Sequence, residues 1–362
     1  MALFLSSARR IYFAPVLFLS CTSWGNFWDT RSGTKELTAF ALPASGLTGK
    51  IYASTVTLYA ESATTLAAQA AIFTTTGASV RVNGTVQVSG VTVNDFSAPV
   101  TYTVTASDGS TKDYLVVVLA PRLVSGLSAW YKADAQAYAD GVTIATWNDS
   151  SANGNHLGLT YGTKPVMKTG IVNGKPVGRF TRVGTTDGIY SSSVTGFSGS
   201  SFTYFIVFRR TAYNVQEQYI FYVNDGSAGC SGTALAQSIQ AGAVGTLLVN
   251  RPCNTYYVIS GPDFTDTSSF HLLAMRYDAG ISRSQQSLDG SMTFDATIAS
   301  QTLPAISKLM LGNYDHNSGA GDRVFDGDLA EFIYYSAALS DADRTRISCY
   351  LVEKYALQVN CF

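Results

Sequence analysis

FDGDLAEFIYYSAALSDADRTRISCYLVEKYAL, residues 325–357, contains two structural periods in succession. In its first part Leu329, Glu331, Ile333 and Tyr335 alternate with Ala330, Phe332 and Tyr334. Both sets are largely apolar, as in a strand covered on both faces. The period then lengthens. Ser340 is an N-cap candidate, and Asp341 and Asp343 fall in a first turn, where the helix dipole favours negative charge. Ile347, Leu351 and Tyr355 recur at helical spacing. The stretch therefore predicts one buried strand, with Leu329 and Glu331 on the same face, followed by one capped helix. Glu331 is expected to be structural and Glu353 to be exposed on the helix.

Within this stretch, Gly327, Leu329 and Glu331, then Ala338, Leu339, Ser340, Asp343 and Arg344, carry a resemblance. They resemble the closing signature of concanavalin A-like (laminin-G-like) jelly rolls in bacterial surface proteins, a G-x-(I/L)-x-E strand followed by an ALS-x-x-(D/E)-R helix. Three earlier stretches match the same family in order. GLSAWYKADA (126–135) resembles its first strand, WNDSSANGNHL (147–157) its W-x-D-x-S-G-N-G-N turn, and KPVMKTGIVNGKPVGRF (164–180) its NGKP strand pair. Ala152 departs from the family, standing where the turn has a glycine, a residue type that often serves positive φ. The resemblance implies a jelly roll over residues 123–362 with Trp130 and Trp147 buried. It also implies a fold that mostly binds carbohydrate or protein and is enzymatic only in some branches.

Upstream, Val100, Tyr102, Val104 and Ala106 alternate with polar residues, Asp108-Gly109 follows, and Tyr114, Val116 and Val118 alternate back, which reads as a hairpin. SVRVNGTVQ (79–87) reads as a second, turning at Asn83-Gly84. The run from Ser79 to Val118 resembles bacterial immunoglobulin-like modules common in lipoproteins, which implies a spacer over residues 35–120. Pro121 and Arg122 mark the boundary. The expected fold is all-β: an immunoglobulin-like β-sandwich, then a concanavalin A-like jelly roll with one C-terminal helix.

Composition agrees. Of 362 residues only 14% are charged and 46% are hydrophobic, the net charge is −1, and Gly (32) and Tyr (21) are abundant. That profile suits an extracellular β protein and lacks the disorder signature. Lys and Arg are scattered, which argues against nucleic acid as a partner. At the N-terminus Arg9 and Arg10 precede an apolar run, Ile11 to Leu19, broken by Pro15 and followed by Ser20 and Cys21. The run is too short to span a bilayer and fits a signal-peptide core. FLSC resembles a relaxed bacterial lipobox. Residues 1–21 are thus read as a signal peptide with Cys21 lipidated, and 22–34 as a tether. Membrane attachment would be through the lipid alone, at the outer membrane or cell surface. An ordinary secretory signal is the alternative. The chain has five cysteines, and an odd count in a secreted chain sets one apart. The other four, Cys230, Cys253, Cys349 and Cys361, allow three pairings, of which closeness favours Cys230–Cys253 and Cys349–Cys361. There is no C-x-x-C spacing to suggest zinc.

The candidate chemistry is sparse. The jelly-roll region contains only three glutamates, Glu217, Glu331 and Glu353, and lacks the alternating acids of E-x-D-x-x-E glycosidases. His156, His271 and His316 sit in unrelated contexts, and no G-x-S-x-G elbow occurs. Calcium needs six to eight oxygens. Two loops offer them: Asp149, Asn153 and Asn155 in one, and Asn313, Asp315, Asn317 and Asp322 in the other. Turn chemistry competes for the same residues. Loop tyrosines Tyr161 and Tyr314 are the ligand-facing candidates, since tyrosine joins apolar area to a polar handle. The expectation is a surface binding or adhesion protein for carbohydrate or extracellular protein. A glycan-active hydrolase and a structural surface protein are the alternatives.

Overall fold

The computed structural model describes residues 32–60, 65–183, 187–197, 201–212, 218–226, 234–239, 246–250, 256–260, 265–297, 306–314 and 323–361. Residues 1–31 with Cys21, and Cys230, Cys253, Asp315, Asn317, Asp322, Glu217 and His316, lie outside the described residues.

The N-terminal region folds as the alternation demands. Val100–Thr105 pairs antiparallel with Thr111–Leu119, placing Tyr102 opposite Tyr114. Asn83 (φ 48°) and Gly84 (φ 80°) both take positive φ, the type I′ turn that Asn-Gly favours in a two-residue hairpin. A six-stranded sheet runs Lys50–Tyr52, Thr55–Tyr59, Thr111–Leu119, Val100–Thr105, Ser79–Val82, Thr85–Val86. It shares a core with a three-stranded sheet built on Leu37–Leu42. Phe40, Phe73, Phe96 and Tyr102 fill that core, with Phe40 edge-on to Tyr102 at 5.2 Å between ring centroids.

The C-terminal sandwich opposes an eight-stranded and a four-stranded sheet. Gly327–Tyr335 lies inside the larger one, pairing with Lys175–Phe180, Phe202–Arg210 and Leu127–Lys132, and all nine of its residues are buried. That position explains why both of its faces are apolar. Trp147, Phe180, Tyr204, Phe221, Phe332 and Tyr334 pack between the sheets. On the other side of the larger sheet Trp130, Phe205, Val207, Ile333 and Tyr335 meet Ile347, Tyr350, Leu351 and Tyr355 of the closing helix. Trp130 and Trp147 are both buried.

The helix spans Asp341–Tyr355. The hydroxyl of Ser340 accepts from the Asp343 amide at 3.1 Å and donates to the Asp343 carboxylate at 2.8 Å, closing the first turn from both sides. Cys349 and Cys361 form a disulfide with Cα atoms 4.9 Å apart, fastening the tail to the helix.

One expectation fails in the closing strand. Leu329 faces the inter-sheet core, whereas Glu331 faces the helix. Val207 is opposite Glu331 and Phe208 opposite Leu329, so Ala330 is an extra residue that moves the alternation on by one.

Candidate functional site

The four-stranded sheet comprises Ile189–Ser191, Lys308–Leu311, Gln218–Asn224 and Ala234–Ile239. Alternation sends Ile189, Leu309 and Leu311 into the core and leaves Tyr190, Lys308 and Met310 on the outer face. Between Tyr219 and Phe221 the register shifts, so Tyr219 and Tyr222 join that outer face while Ile220, Phe221 and Val223 point inward.

Loop residues extend this row. Tyr161 stacks on Tyr190 with centroids 4.6 Å apart and rings 20° from parallel. The Lys308 ammonium donates to the Tyr161 hydroxyl at 2.6 Å and lies 4.9 and 4.7 Å from the two ring centroids. Further along, Tyr314 packs on Tyr219 at 5.3 Å and Tyr222 at 5.8 Å. The Arg323 guanidinium sits 5.2 Å from the Tyr314 ring and 5.9 Å from that of Tyr219, within cation–π range. Tyr161 is 42% exposed, Tyr190 and Tyr314 are half-buried, and Tyr219 and Tyr222 are buried. The result is a tyrosine face with two cations held against it. Rings of this kind offer flat apolar area edged by hydroxyls.

Two polar residues set the loops. Asn313 is buried; its amide donates to the Asp187 carbonyl at 2.9 Å, and its oxygen accepts from the Tyr314 backbone at 2.8 Å. The Asp187 carboxylate accepts from the backbone of Thr163 at 2.7 Å and Val183 at 3.0 Å, which anchors the loop carrying Tyr161. Asn313, first considered as a cation ligand, thus positions an aromatic. Asp187 went unremarked in the sequence because a lone Asp-Gly pair resembles any turn.

The other loop considered for calcium is bound up in hydrogen bonds. The Asp149 carboxylate accepts from the amides of Trp130 (3.0 Å), Ser151 (2.8 Å) and Asn155 (3.1 Å) and from the Ser151 hydroxyl (2.6 Å). Asn155 donates to the carbonyls of Ser128 and Thr195, and Asn153 to those of Leu127 and Ser128. These contacts staple the loop to the first strand of the sandwich. Among the described residues no group of three or more His, Cys, Asp or Glu is arranged to hold a metal.

Several other titratable groups make contacts within the fold. His156 is exposed, and its Nδ1 accepts from the Asp149 amide at 3.0 Å. His271 lies 2.6 Å from Asp289 and 3.4 Å from Asp266. Hydrogen bonds from Ser268 and Ser269 hold the Asp266 carboxyl well below its ordinary range. Glu331 is fully buried and accepts from Trp130 Nε1 (2.6 Å), Lys354 (2.7 Å) and Tyr355 (2.8 Å). Glu353 is not a bare helix residue as expected. It pairs with Lys50 and accepts from Tyr52, both in the N-terminal region. Asp328, absent from the sequence reading, is buried beneath Arg179 and Arg209.

A groove of about 500 Å³ lies on the helix side, between Ile171–Asn173, Phe270–His271 and Leu357–Val359. Its polar lining serves internal contacts: His271 to Asp289, and Asn173 to the Lys354 carbonyl at 2.9 Å.

Fold and site together define a two-domain β protein with a row of tyrosines on the outer face of its smaller sheet. Residues 183–343 match the family described as the concanavalin A-like lectin/glucanases superfamily. Residues 37–118 match the family described as SGBP, N-terminal. The chain therefore carries a concanavalin A-like domain preceded by an SGBP N-terminal domain. Among curated proteins nothing matches the chain. Similar solved structures include the CBM40 module of a Ruminococcus gnavus IT-sialidase bound to alpha2,3 sialyllactose. It is 18% identical and covers 46% of this chain and 94% of that one, with a TM-score of 0.38. A Trypanosoma rangeli sialidase in complex with sialic acid is 12% identical, covering 65% of this chain and 34% of its own, with a TM-score of 0.41. The NanB sialidase of Streptococcus pneumoniae is 18% identical, covering 46% of this chain, with a TM-score of 0.35. The match spans 25% of that enzyme's length.

Proposed function

We propose that this is a glycan-binding surface protein, lipid-anchored through Cys21, that takes carbohydrate on the tyrosine face of its four-stranded sheet and does not hydrolyse it. The observation that carries the reading is the Tyr161–Tyr190 stack braced by Lys308. An exposed ring held at a fixed angle suits the apolar face of a sugar, and the neighbouring hydroxyl and ammonium suit its polar edge. Both matched families support carbohydrate as the ligand class, one by the glycan-binding character of SGBP domains and the other through its lectins.

The test is an array of glycans and extracellular matrix proteins probed with the full chain, followed by calorimetric titration of the best binder. Tyr161→Ala should weaken glycan binding by about 1 kcal/mol, roughly fivefold in Kd. Binding confined to the protein spots, or a glycan Kd untouched by Tyr161→Ala, would move the site elsewhere. The anchor is tested separately by mass spectrometry of the native N-terminus, where an unmodified peptide starting away from Cys21 would remove that part.

A further inference from the structure

The N-terminal module has the look of a spacer in sequence, yet no flexible spacer separates it from the sandwich. Thr111–Leu119 runs into a single 3₁₀ turn, Pro121–Leu123, and Leu127–Lys132 begins shortly after. The short connection is itself embedded. Leu119, Ala120, Pro121 and Val124 are buried, and the Pro121 carbonyl accepts from the Tyr335 hydroxyl of the closing strand at 2.9 Å. Arg122 reaches back to the Ser150 carbonyl.

The contact extends beyond the connection. Leu119 belongs to the same apolar cluster as Ile347, Tyr350 and Leu351 of the closing helix, and Val117 and Tyr59 pack against that cluster from the module. Beside them, Lys50 and Tyr52 bind the two carboxylate oxygens of Glu353. Both residues belong to Lys50–Tyr52, the edge strand of the six-stranded sheet. Sheet edges are otherwise open to unwanted pairing, and proteins commonly cover them. Burial raises the Tyr59 phenol above its ordinary range, with the Glu353 charge adding to it.

We infer that the module is a rigid arm docked on the closing helix, so that both domains move as one body and the tyrosine face keeps a fixed orientation to the N-terminus. Apolar contact, an ion pair and a buried connection act together here, whereas a linked pair of independent domains would show little but the linker.

Backbone ¹⁵N relaxation of the full chain tests this directly. One rigid body gives the same rotational correlation time for amides of residues 37–118 and 127–355. A shorter time for 37–118 would overturn the inference. Val117→Asp places a charge in the apolar contact and should make the two times diverge while the module's own core shifts stay put. Equal times in a folded Val117→Asp protein would also overturn it, because the surface named here would then not be the lock.

Discussion

Lys354 has no exposed side-chain surface, and neither does its partner Glu331. The pair persists because every charged oxygen has donors: Trp130 and Tyr355 bind Glu331, and Asp134 takes a second hydrogen bond from Lys354 at 3.1 Å. Removing one partner strands the other charge in the interior, so Lys354→Met should cost about 3–5 kcal/mol in urea denaturation. Adding Glu331→Gln should recover part of that loss, and a loss below ~1 kcal/mol for Lys354→Met would show that water reaches the pair. Asp134 adds a pH dependence. Burial alone would raise its carboxyl, but Lys354, then Lys132 and Lys175, outweigh this and hold it below its ordinary 3.8. A depressed carboxylate stabilises the fold above its unfolded value and loses that contribution as pH falls through the folded one. Below pH 3.8 the wild type should therefore lose stability faster than Asp134→Asn, as read from melting temperatures across an acid series. Ala152 is a separate strain. It holds φ 81°, where an L side chain is disfavoured by roughly 1–2 kcal/mol. Glycine removes that strain but loosens the unfolded chain, so Ala152→Gly should stabilise by about 0.5–1 kcal/mol. A fall in the denaturation midpoint would contradict the strain argument.

At the level of elements, the strand-to-helix switch at the C-terminus was legible because its periodicity changes and Ser340, Asp341 and Asp343 supply start signals. The bulge at Ala330 was not. One extra residue leaves composition untouched and shows only when the partner strand's register is known. The Asn83-Gly84 turn was legible because its backbone geometry nearly dictates those residues. The pairing of Glu353 with Lys50 was not legible, because Lys50 lies far away in sequence and no local pattern reports a tertiary contact. Cys349–Cys361 was readable from closeness alone, and it holds the tail that forms one wall of the helix-side groove. Opening it with Cys361→Ser should lower stability by up to ~3 kcal/mol in the chain-entropy picture. Ser340→Ala, which removes the cap, should cost about 1 kcal/mol. Equal midpoints for wild type and Cys361→Ser would mean that the tail stays docked through other contacts.

Across the whole molecule, the two matched domains were readable because turn residues and alternating strands recur at family spacings. The tyrosine face was only half readable. Tyr161 and Tyr314 stand in loops and invite attention, but Tyr190, Lys308 and Arg323 join them only through sheet order and loop return. That geometry bears on hydrolysis. Glu331 faces the closing helix and Glu353 sits on that helix, bound to Lys50. Both lie on the far side of the larger sheet, while the tyrosine face is the outer side of the smaller one. Two packed sheets separate such surfaces by more than the ~10 Å between sheet planes. A retaining glycosidase needs its carboxyl groups ~5–5.5 Å apart across the scissile bond, and an inverting one ~6.5–9.5 Å. Neither glutamate can reach a sugar stacked on Tyr161. On the binding reading proposed above, incubating the full chain with any polysaccharide it binds should release reducing sugar no faster than buffer does. Release above that rate, abolished by one carboxylate substitution that leaves the melting temperature unchanged, would place a hydrolytic pair elsewhere in the chain and make the tyrosine face its substrate platform.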